Sequence, residues 1–460
     1  MTELKVMQQI WAETALTPRG WQRNVLVNVD YSGVITSVEA DTKPQGTRAG
    51  ILLPAPVNLH SHAFQRAMAG LTERRGEDPS DSFWTWRKLM YRFLDHLSPE
   101  HVEAITAFVQ MEMLEAGYAA VAEFHYLHHQ PGGAPYDNPA ELSARISAAA
   151  ATSGIGLTLL PVLYEHGGCD GRALGPGQVR FGNDPQRFGK LWEGAKATLQ
   201  HLPGDAGIGV APHSLRAVSQ AGLRFAEGLA PDRPIHMHLA EQVAEVEEVE
   251  AAWGKRPADW LMSAHNIDAR WCLIHCTQMT PDETIRLAQT GAVAGLCPIT
   301  ESSLGDGIFD GLRFAGAGGR FGVGSDSNIR ISLAEELRTL EYSQRLQHRG
   351  RAMLATPEKS TGRVLHEAAC AGGAQAAGRT SGAIASGMYA DLVALDAGHI
   401  DLAGRSGDTL LDTFIFAGHS SMVSDVWAAG RHMVRGGRHV AREAITSAYA
   451  KATARLMDII

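Results

Sequence analysis

Short apolar runs and amphipathic segments alternate along most of the chain. Strands that are buried on both faces and joined by crossover helices produce this pattern in parallel sheets. Eight such units predict a closed (β/α)8 barrel of the TIM type, which is an α/β fold. The eight runs are ILLPAPVNLH, AAVAEFHYLH, GLTLLPVLYEH, IGVAPHSL, PIHMHLAEQ, WCLIHCTQ, GAVAGLCPIT and RFGVGSDSN.

The segments between the runs have helical spacing. In PEHVEAITAFVQMEMLEAG, Val102, Ile105 and Val109 recur at intervals of three and four residues, which favours an amphipathic helix. Gly117 follows the last apolar position and is suited to end that helix.

Both ends of the chain have a different pattern. WQRNVLVNVDYSGVITSVEA alternates apolar and polar residues around YSG, as a two-stranded hairpin does, and GMYADLVALD and VSDVWAAGRHMVRGGRHV repeat this style near the C-terminus. We therefore predict a small β domain formed by residues 1–54 and 376–460, with a C-terminal helix, beside a barrel formed by residues 55–375.

Composition and charge exclude several classes of protein. Of 460 residues, 45% are apolar and 20% are charged, as in soluble globular proteins. The formal charge of −9 argues against a basic groove for nucleic acid. Five cysteines without CxxC spacing favour a reducing compartment, and the N-terminus lacks the apolar run of a secretory signal. We expect a cytoplasmic protein without a nucleic-acid or membrane partner.

Residues able to bind a metal or catalyse a reaction lie at the ends of the runs. In a barrel of this type, the C-terminal ends of the strands form the active site. His60 and His62 are two residues apart on an extended segment, so both imidazoles lie on one face. Together with a third histidine and a carboxylate from other strands, they form a ligand set that suits zinc. The residues at the run ends are His60, His62, His125, His166, His213, His238, Glu241, His275 and Asp326.

PIHMHLAEQ offers two candidates for the third histidine. His236 and His238 share a face, but His238 lies nearer the C-terminal end of the run and Glu241 follows it by three residues. We therefore assign His238 as the ligand and interpret His236 as a buried histidine lower in the barrel or a support for a ligand. Asp326 is the candidate carboxylate, although Asp-Ser-Asn also suits a turn and a helix N-cap. His275 stands alone after its run, where a structural role is the alternative.

These motifs together resemble the amidohydrolase superfamily in its mononuclear, deaminase-like branch. The resemblance covers nearly the whole chain, and SGAIASGMYADLVALD is similar to the segment with which such chains re-enter a β-sandwich. It implies a metal-dependent catalytic barrel, a β-sandwich built from both termini and one metal ion. Binuclear members use a carboxylated lysine, whereas the third and fourth runs here lead into YEHGG and PHSLRAV without one.

Within that superfamily, six stretches resemble the formimidoylglutamate deiminase family: NLHSHAFQRAMAGLTERRG, FWTWRKLMYRF, EFHYLHH, APHSLRAV, HMHLAEQ and CPITESSLGDGIF. The resemblance implies hydrolysis of N-formimidoyl-L-glutamate to N-formyl-L-glutamate and ammonia in histidine degradation, by a homodimer. It implies one zinc ion per chain, bound by His60, His62, His238 and Asp326. It implies that the two carboxylates of this small dicarboxylate substrate contact Gln65, Arg87, Tyr126, His213 and Arg216.

Each predicted catalytic residue has a separate role in this hypothesis. Asp326 binds the metal and accepts a proton from the attacking water, Glu241 transfers a proton to the substrate nitrogen, and His275 orients the water and stabilises developing charge. Arg92 lies on the same segment as Arg87 and is the alternative to it.

Two alternative functions remain open. A deaminase or chlorohydrolase of the same superfamily would act on a purine or triazine ring, but a neutral ring does not need Arg87 and Arg216 together. A non-catalytic scaffold with the same barrel would have lost metal ligands, and none is missing from the sequence.

Overall fold

A computed structural model describes residues 6–73 and 83–458 of the chain. The first five and last two residues of the predicted terminal domain therefore lie outside the described residues. The strands are β1 (Val6–Thr17), β2 (Gly20–Asp30), β3 (Ile35–Glu39), β4 (Thr47–Pro54), β5 (Val57–Ser61), β6 (Ala120–His125), β7 (Gly156–Leu163), β8 (Gly207–Ile208), β9 (Ala211–Pro212), β10 (Ile235–Leu239), β11 (Trp271–His275), β12 (Val293–Leu296), β13 (Arg320–Val323), β14 (Leu392–Leu395), β15 (Val423–Ala428), β16 (Arg431–Arg435) and β17 (Arg438–His439).

The α-helices are α1 (Phe83–Leu94), α2 (Pro99–Glu115), α3 (Glu141–Ser153), α4 (Pro185–Thr198), α5 (Gln220–Leu229), α6 (Val243–Trp253), α7 (Pro257–Ala264), α8 (Pro281–Ala288), α9 (Pro298–Leu304), α10 (Gly311–Gly316), α11 (Leu333–His348), α12 (Thr361–Ala376), α13 (Asp408–Asp412) and α14 (Arg442–Met457). Shorter 3₁₀ turns lie at Ala63–Met68, Leu199–His201, Ile400–Leu402 and Ser420–Met422, and a π-helical turn lies at Thr413–Ala417. Among the helices described, none is both long and apolar enough to cross a membrane.

Strands β5 to β13 form a closed parallel barrel. β5, β6, β7 and β8 pair in that order, and β9 also pairs with β7, so β8 and β9 are two halves of one barrel strand. β10, β11, β12 and β13 form a second parallel group. Bridges between Val210 and Ile235 and between Ser61 and Asp326 join the two groups at both edges. The eight apolar runs therefore correspond to the eight barrel strands, and the predicted (β/α)8 fold is confirmed.

Helix α2 shows how local sequence forms the outer layer. Its N-terminus is capped by Ser98, whose hydroxyl accepts a hydrogen bond from the backbone N–H of His101, and a proline occupies its first turn. The predicted apolar positions, Val102 among them, are buried against the barrel. Gly117 follows the helix with φ of 101°, a left-handed conformation that favours glycine.

The strands from the two termini form one continuous sheet in the order β17, β16, β15, β14, β4, β1, β2 and β3. β2 and β3 are the hairpin predicted around YSG, and Gly33 in that turn has φ of 80° and packs directly on the backbone of Ala429. Side chains from both ends of the chain, including Val27, Leu52 and Trp427, share one buried apolar core. Both termini are therefore needed to complete this sheet. The C-terminal helix α14 packs on α2.

A buried ionic network joins the sheet to the N-terminal end of the barrel strands. Arg379 contacts Asp391 through Nε at 2.6 Å and Asp205 through Nη2 at 2.8 Å, and Arg431 contacts Asp205 at 2.7 Å. Asp205 lies two residues before β8, and Asp391 immediately precedes β14. Burial opposes ionisation of Asp205, but the hydrogen bond from Arg431 and the charge of Arg379 outweigh it and lower the pKa of its carboxyl. This network fixes the sheet at the end of the barrel opposite the predicted active site.

Candidate active site

Closure of the barrel brings the two most distant predicted metal ligands together. His60 lies in β5, His62 follows that strand, and Asp326 follows β13. The backbone N–H of His62 donates to the carbonyl of Asp326, and that of Asp326 donates to the carbonyl of His60, each at 2.9 Å. A Cβ at Gly324 would lie 2.6 Å from the backbone nitrogen of His60, so glycine permits this close approach.

Four buried side chains form a cluster with the chemistry of a metal site. One candidate ligand atom from each of His60, His62, His238 and Asp326 lies within 4.8 Å of the others. The Oδ1 atom of Asp326 lies 3.3 Å from Nε2 of His60 and 3.2 Å from Nε2 of His62, and the Nε2 atoms of His60 and His238 are 3.2 Å apart. Ligand atoms in a tetrahedron about zinc are separated by about 3.3 Å. These three distances match the separation of ligand atoms that share one zinc ion.

The protonation of the histidines also suits a metal. Nδ1 of His62 lies 2.9 Å from the carbonyl oxygen of Phe124, and Nδ1 of His238 lies 3.1 Å from that of His213. Donation at Nδ1 leaves the Nε2 lone pair of each ring for a metal. Burial lowers the pKa of His60 to about 3, so this ring is neutral at pH 7. These residues fit a divalent cation such as zinc.

Backbone strain is concentrated at the same strand ends. Non-glycine residues rarely adopt positive φ, and such conformations cluster at functional sites. Asp326 is held at φ of 45° while the amide of Asn328 donates to its carbonyl oxygen at 3.0 Å. The residues with positive φ at the ends of β10, β11 and β13 are Ala240, His275, Cys276, Asp326 and Asn328.

The predicted catalytic residues Glu241 and His275 lie beside the metal cluster. Nε2 of His275 is 3.9 Å from Oε1 of Glu241 and 3.9 Å from Oδ2 of Asp326. Burial raises the pKa of Glu241, and the charges of His275 and Arg216 only partly oppose this. Burial disfavours a charged His275, but Glu241 and the hydrogen bond to Glu301 outweigh it and raise its pKa to about 10. Glu241 and His275 therefore form a closely coupled carboxyl–imidazole pair beside the metal cluster.

Glu301 is a contact of this site that the sequence analysis missed. Its Oε1 lies 3.2 Å from Nδ1 of His275 and accepts a 2.8 Å hydrogen bond from the backbone N–H of Cys297. Glu301 lies in α9, one residue beyond the seventh run, which ends at Thr300. A search for carboxylates directly after each run would have found it.

A cavity opens above the metal cluster, with both charged and aromatic side chains in its lining. Arg87 lines it and Arg92 does not, so the structure favours Arg87 between the two candidates. Trp86, Met90, Tyr164 and Phe181 complete one wall. The predicted substrate-binding residues all line the cavity: Gln65, Arg87, Tyr126, His213 and Arg216.

Arg216 is a buried cation without a hydrogen-bond acceptor among the described residues. Only 7% of the residue is exposed, and its Nε has no partner. Burial disfavours the charge, but Glu245 and Glu241 outweigh this and raise the pKa of the guanidinium. A charged guanidinium in this state favours an anionic ligand in the cavity.

Gln65 and Tyr126 are linked by a 2.7 Å hydrogen bond from the amide nitrogen to the phenolic oxygen. The buried Oε1 of Gln65 has no partner among the described residues. The side chain therefore retains an acceptor, which faces a cavity that also contains two guanidinium groups.

Three other histidines named in the sequence analysis do not line the cavity. Nε2 of His236 contacts the carbonyl oxygen of Ala376 at 2.7 Å, and burial lowers its pKa to about 4, as for a buried structural histidine. His125 packs its ring on His128 with 5.1 Å between centroids. His166 lines a separate surface depression.

Comparison with known proteins decides the family. The model of the Amidohydrolase family matches residues 51–433, which contain all the predicted site residues. The chain belongs to the amidohydrolase family. The membership predicted from the strand-end motifs is thereby confirmed. A second model, "Formimidoylglutamate deiminase HutF, N-terminal domain", matches residues 7–48 of this amidohydrolase.

Similar amidohydrolases extend over almost the whole chain. Formimidoylglutamate deiminase of Pseudomonas aeruginosa is 48% identical over 457 residues, which cover 98% of this chain and 100% of that protein. The crystal structure of an amidohydrolase from Brucella melitensis is 49% identical with a TM-score of 0.94, covering 98% of this chain and 100% of that one. An adenosine deaminase from Xanthomonas campestris with bound zinc is 21% identical with a TM-score of 0.82 and 98% coverage of each chain. This last likeness shows the shared fold.

Proposed function

We propose that this amidohydrolase hydrolyses N-formimidoyl-L-glutamate to N-formyl-L-glutamate and ammonia in histidine degradation. The observation that carries the proposal is the buried, unpartnered Arg216 in the cavity above the metal cluster. The 48% identity to the Pseudomonas aeruginosa deiminase over 98% of the chain supports the same substrate. A neutral purine or triazine ring would leave Arg216 without an anion, and a scaffold without activity would not require the complete ligand set.

Substrate binding uses the charges and hydrogen-bonding groups of the cavity wall. Arg87 and Arg216 provide planar guanidinium groups, each of which can form a bidentate pair with a carboxylate. Gln65 donates to Tyr126 and leaves its Oε1 to accept an N–H of the substrate. Burial and the charges of Arg216 and Arg87 lower the pKa of His213 well below its usual value, so its ring remains neutral beside the carboxylates.

We assign one zinc ion per chain to His60, His62, His238 and Asp326. A divalent ion in such a site lowers the pKa of a water molecule from about 15.7 to near 7 and so supplies hydroxide at neutral pH. Asp326 directs Oδ1 towards His60 and His62, which leaves Oδ2, 3.9 Å from His275, to accept the proton of the attacking water.

Glu241 and His275 complete the reaction. As the water oxygen bonds to the formimidoyl carbon, Glu241, whose raised pKa suits it to accept the first proton of that water, passes this proton to the terminal nitrogen of the substrate. His275, charged and held through Nδ1 by Glu301, donates from Nε2 to the oxygen on which negative charge develops. The same nitrogen then receives the second proton of the water, which Asp326 had accepted. The carbon–nitrogen bond breaks, ammonia leaves, and the formyl group stays on the glutamate nitrogen.

The assembly and location are part of the same proposal. The five cysteines are free and suit a reducing compartment, so we place the protein in the cytoplasm. Two-fold dimers are the commonest soluble assemblies, and we propose a homodimer, which sedimentation equilibrium tests.

The direct test is ammonia release by the purified protein, with bound metal measured on the same sample. We expect turnover of N-formimidoyl-L-glutamate, weaker turnover of the aspartate homologue, none of guanine, and about one zinc ion per chain. Activity on guanine alone would overturn the substrate assignment. Absence of ammonia release from every imine and amidine tested, by a sample that contains zinc, would support the non-catalytic alternative.

A further inference from the structure

Tyr164 occupies a fixed position on the wall of the cavity. It immediately follows β7, and only 2% of the residue is exposed. Its ring lies 4.6 Å from the ring of His213 and 5.5 Å from that of Phe181, measured between centroids. These contacts hold the phenol beside the cavity, so its hydroxyl group cannot turn away without displacing its neighbours.

The hydroxyl oxygen of Tyr164 accepts two hydrogen bonds. Nη2 of Arg87 donates at 3.1 Å and Nε2 of Gln178 donates at 2.9 Å. The orientation of the Gln178 amide is fixed because its Oε1 accepts a 2.9 Å hydrogen bond from the backbone N–H of Gly175. Both partners of the hydroxyl are therefore donors, since neither a guanidinium nor an amide NH₂ accepts a hydrogen bond.

The hydroxyl hydrogen of Tyr164 has no acceptor among the described residues. The lone pairs of the Tyr164 oxygen face Arg87 and Gln178, and its O–H contacts no acceptor in the part of the chain that the structure describes. The cavity is the adjacent volume that Tyr164 lines. A buried donor without a partner points to a ligand atom that completes it.

We propose that Tyr164 donates its hydroxyl hydrogen to the substrate carboxylate that Arg87 binds, and that Gln178 holds the hydroxyl in place for this contact. The assignment rests on the proposed dicarboxylate substrate. It makes Tyr164 a further determinant of specificity for a carboxylate. Gln178 does not line the cavity and acts through Tyr164, so it is a positioning residue.

Tyr164→Phe keeps the ring contacts and removes only the hydroxyl. We expect KM for N-formimidoyl-L-glutamate to rise about tenfold or more, as when a hydrogen bond to a charged group is lost, with kcat within about threefold. Isothermal calorimetry with N-formyl-L-glutamate, which needs no turnover, should show a matching loss of affinity. Tyr118→Phe removes a buried hydroxyl that lies outside the cavity and is the matched control.

Two substrate analogues identify the carboxylate. N-formimidoyl-4-aminobutyrate lacks the α-carboxylate and N-formimidoyl-2-aminobutyrate lacks the side-chain carboxylate. We expect Tyr164→Phe to leave KM unchanged for one analogue and to raise it for the other. Equal effects on both analogues, or unchanged KM and affinity for the intact dicarboxylates, would overturn the assignment.

Gln178→Met tests the positioning role. We expect a smaller rise in KM than for Tyr164→Phe, and a double variant no weaker than Tyr164→Phe alone, because both changes remove the same contact. Additive effects would contradict action through Tyr164. If the wild-type protein binds N-formyl-L-glutamate but releases no ammonia from its formimidoyl counterpart, the proposed reaction fails while the calorimetric comparison still decides the role of Tyr164.

Discussion

Arg379 and Arg216 are buried to the same degree at opposite ends of the barrel, with 8% and 7% of each residue exposed. Arg379, at the N-terminal end of the strands, contacts the carboxylates of Asp205 and Asp391. Arg216, at the C-terminal end, has no hydrogen-bond acceptor among the described residues. The first cation is hydrogen-bonded to carboxylates, whereas the second is stabilised only through space, by the charges of Glu245 and Glu241.

This difference separates a structural charge from a functional one. The charges of Glu245 and Glu241 offset the burial of Arg216, but its guanidinium has no hydrogen-bond acceptor among the described residues, and a buried donor without a partner costs about 1–3 kcal/mol. The strained backbone at Ala240, His275 and Asp326 lies at the same end of the barrel. Unmet hydrogen-bond donors and strain together indicate an end that is adapted to a ligand, whereas the network around Arg379 stabilises the contact between barrel and sheet.

Glu241→Gln gives the largest effect expected at the ligand-binding end. The amide has the shape of the acid but has no proton to transfer to the substrate nitrogen, so kcat should fall by about 10²–10⁴. Zinc content and the thermal midpoint should remain those of the parent, because Glu241 is not a proposed ligand. Glu247→Gln, an exposed change in α6, is the control. Near-normal turnover of Glu241→Gln would exclude the proton-transfer role.

Arg379→Met should have its main effect on stability. The substitution leaves Asp205 and Asp391 with fewer partners in a buried site, which destabilises a protein by about 3–5 kcal/mol. Urea unfolding monitored by circular dichroism measures the loss. Arg405→Met changes an exposed arginine and should stay within about 0.5 kcal/mol of the parent. An unchanged free energy of unfolding for Arg379→Met would remove the distinction between the two ends.

Arg216→Met is the complementary change at the other end. KM for N-formimidoyl-L-glutamate should rise about 10- to 100-fold, which is the contribution of hydrogen bonds to a charged group, with a smaller change in kcat. Stability should fall less than in Arg379→Met, because the variant breaks no hydrogen bond among the described residues and loses only the through-space attraction of Glu245 and Glu241. KM and urea unfolding are measured for both variants, so that each arginine is tested for binding and for stability. A loss of stability in Arg216→Met as large as that in Arg379→Met would show that both arginines stabilise the fold to the same degree.

The sequence predicts much of the barrel and of the metal cluster because the relevant information is local. Each apolar run has the length and flanking residues of a buried strand, and parallel closure then places every run end at one opening. His60, His62, His238 and Asp326 could be named for that reason. The pairing of His62 with Asp326 is a consequence of closure and not of either local sequence.

Other features depend on tertiary contacts without a local pattern. Arg216 and Arg379 are both arginines in polar surroundings, and only the folded chain shows that one has carboxylate partners and the other has none. The alternation of apolar and polar residues in the terminal strands predicted the β2–β3 hairpin but not the parallel pairing of β1 with β4. Side chains alternate between the two faces of a strand whether its neighbour is parallel or antiparallel, so this pattern does not distinguish the two. Glu301 was missed because it reaches the site from α9, a helix that begins within the last residues of the seventh run.

Glu301→Gln tests whether His275 needs the negative charge of Glu301 or only its hydrogen-bond acceptor. The amide oxygen can still accept hydrogen bonds from Cys297 and His275, but the negative charge that favours the imidazolium of His275 is lost. We expect kcat to fall about tenfold, within the range for loss of a group that orients a catalytic or ligating side chain, with KM and zinc content little changed. Glu336→Gln is a matched control. The buried side chain of Glu336 also accepts a hydrogen bond from a backbone N–H of α9, that of Ile299, but it forms no hydrogen bond with His275 among the described residues. If both variants lose the same activity and the same stability, Glu301 only anchors α9, and the charge on His275 must come from Glu241 and Asp326 alone.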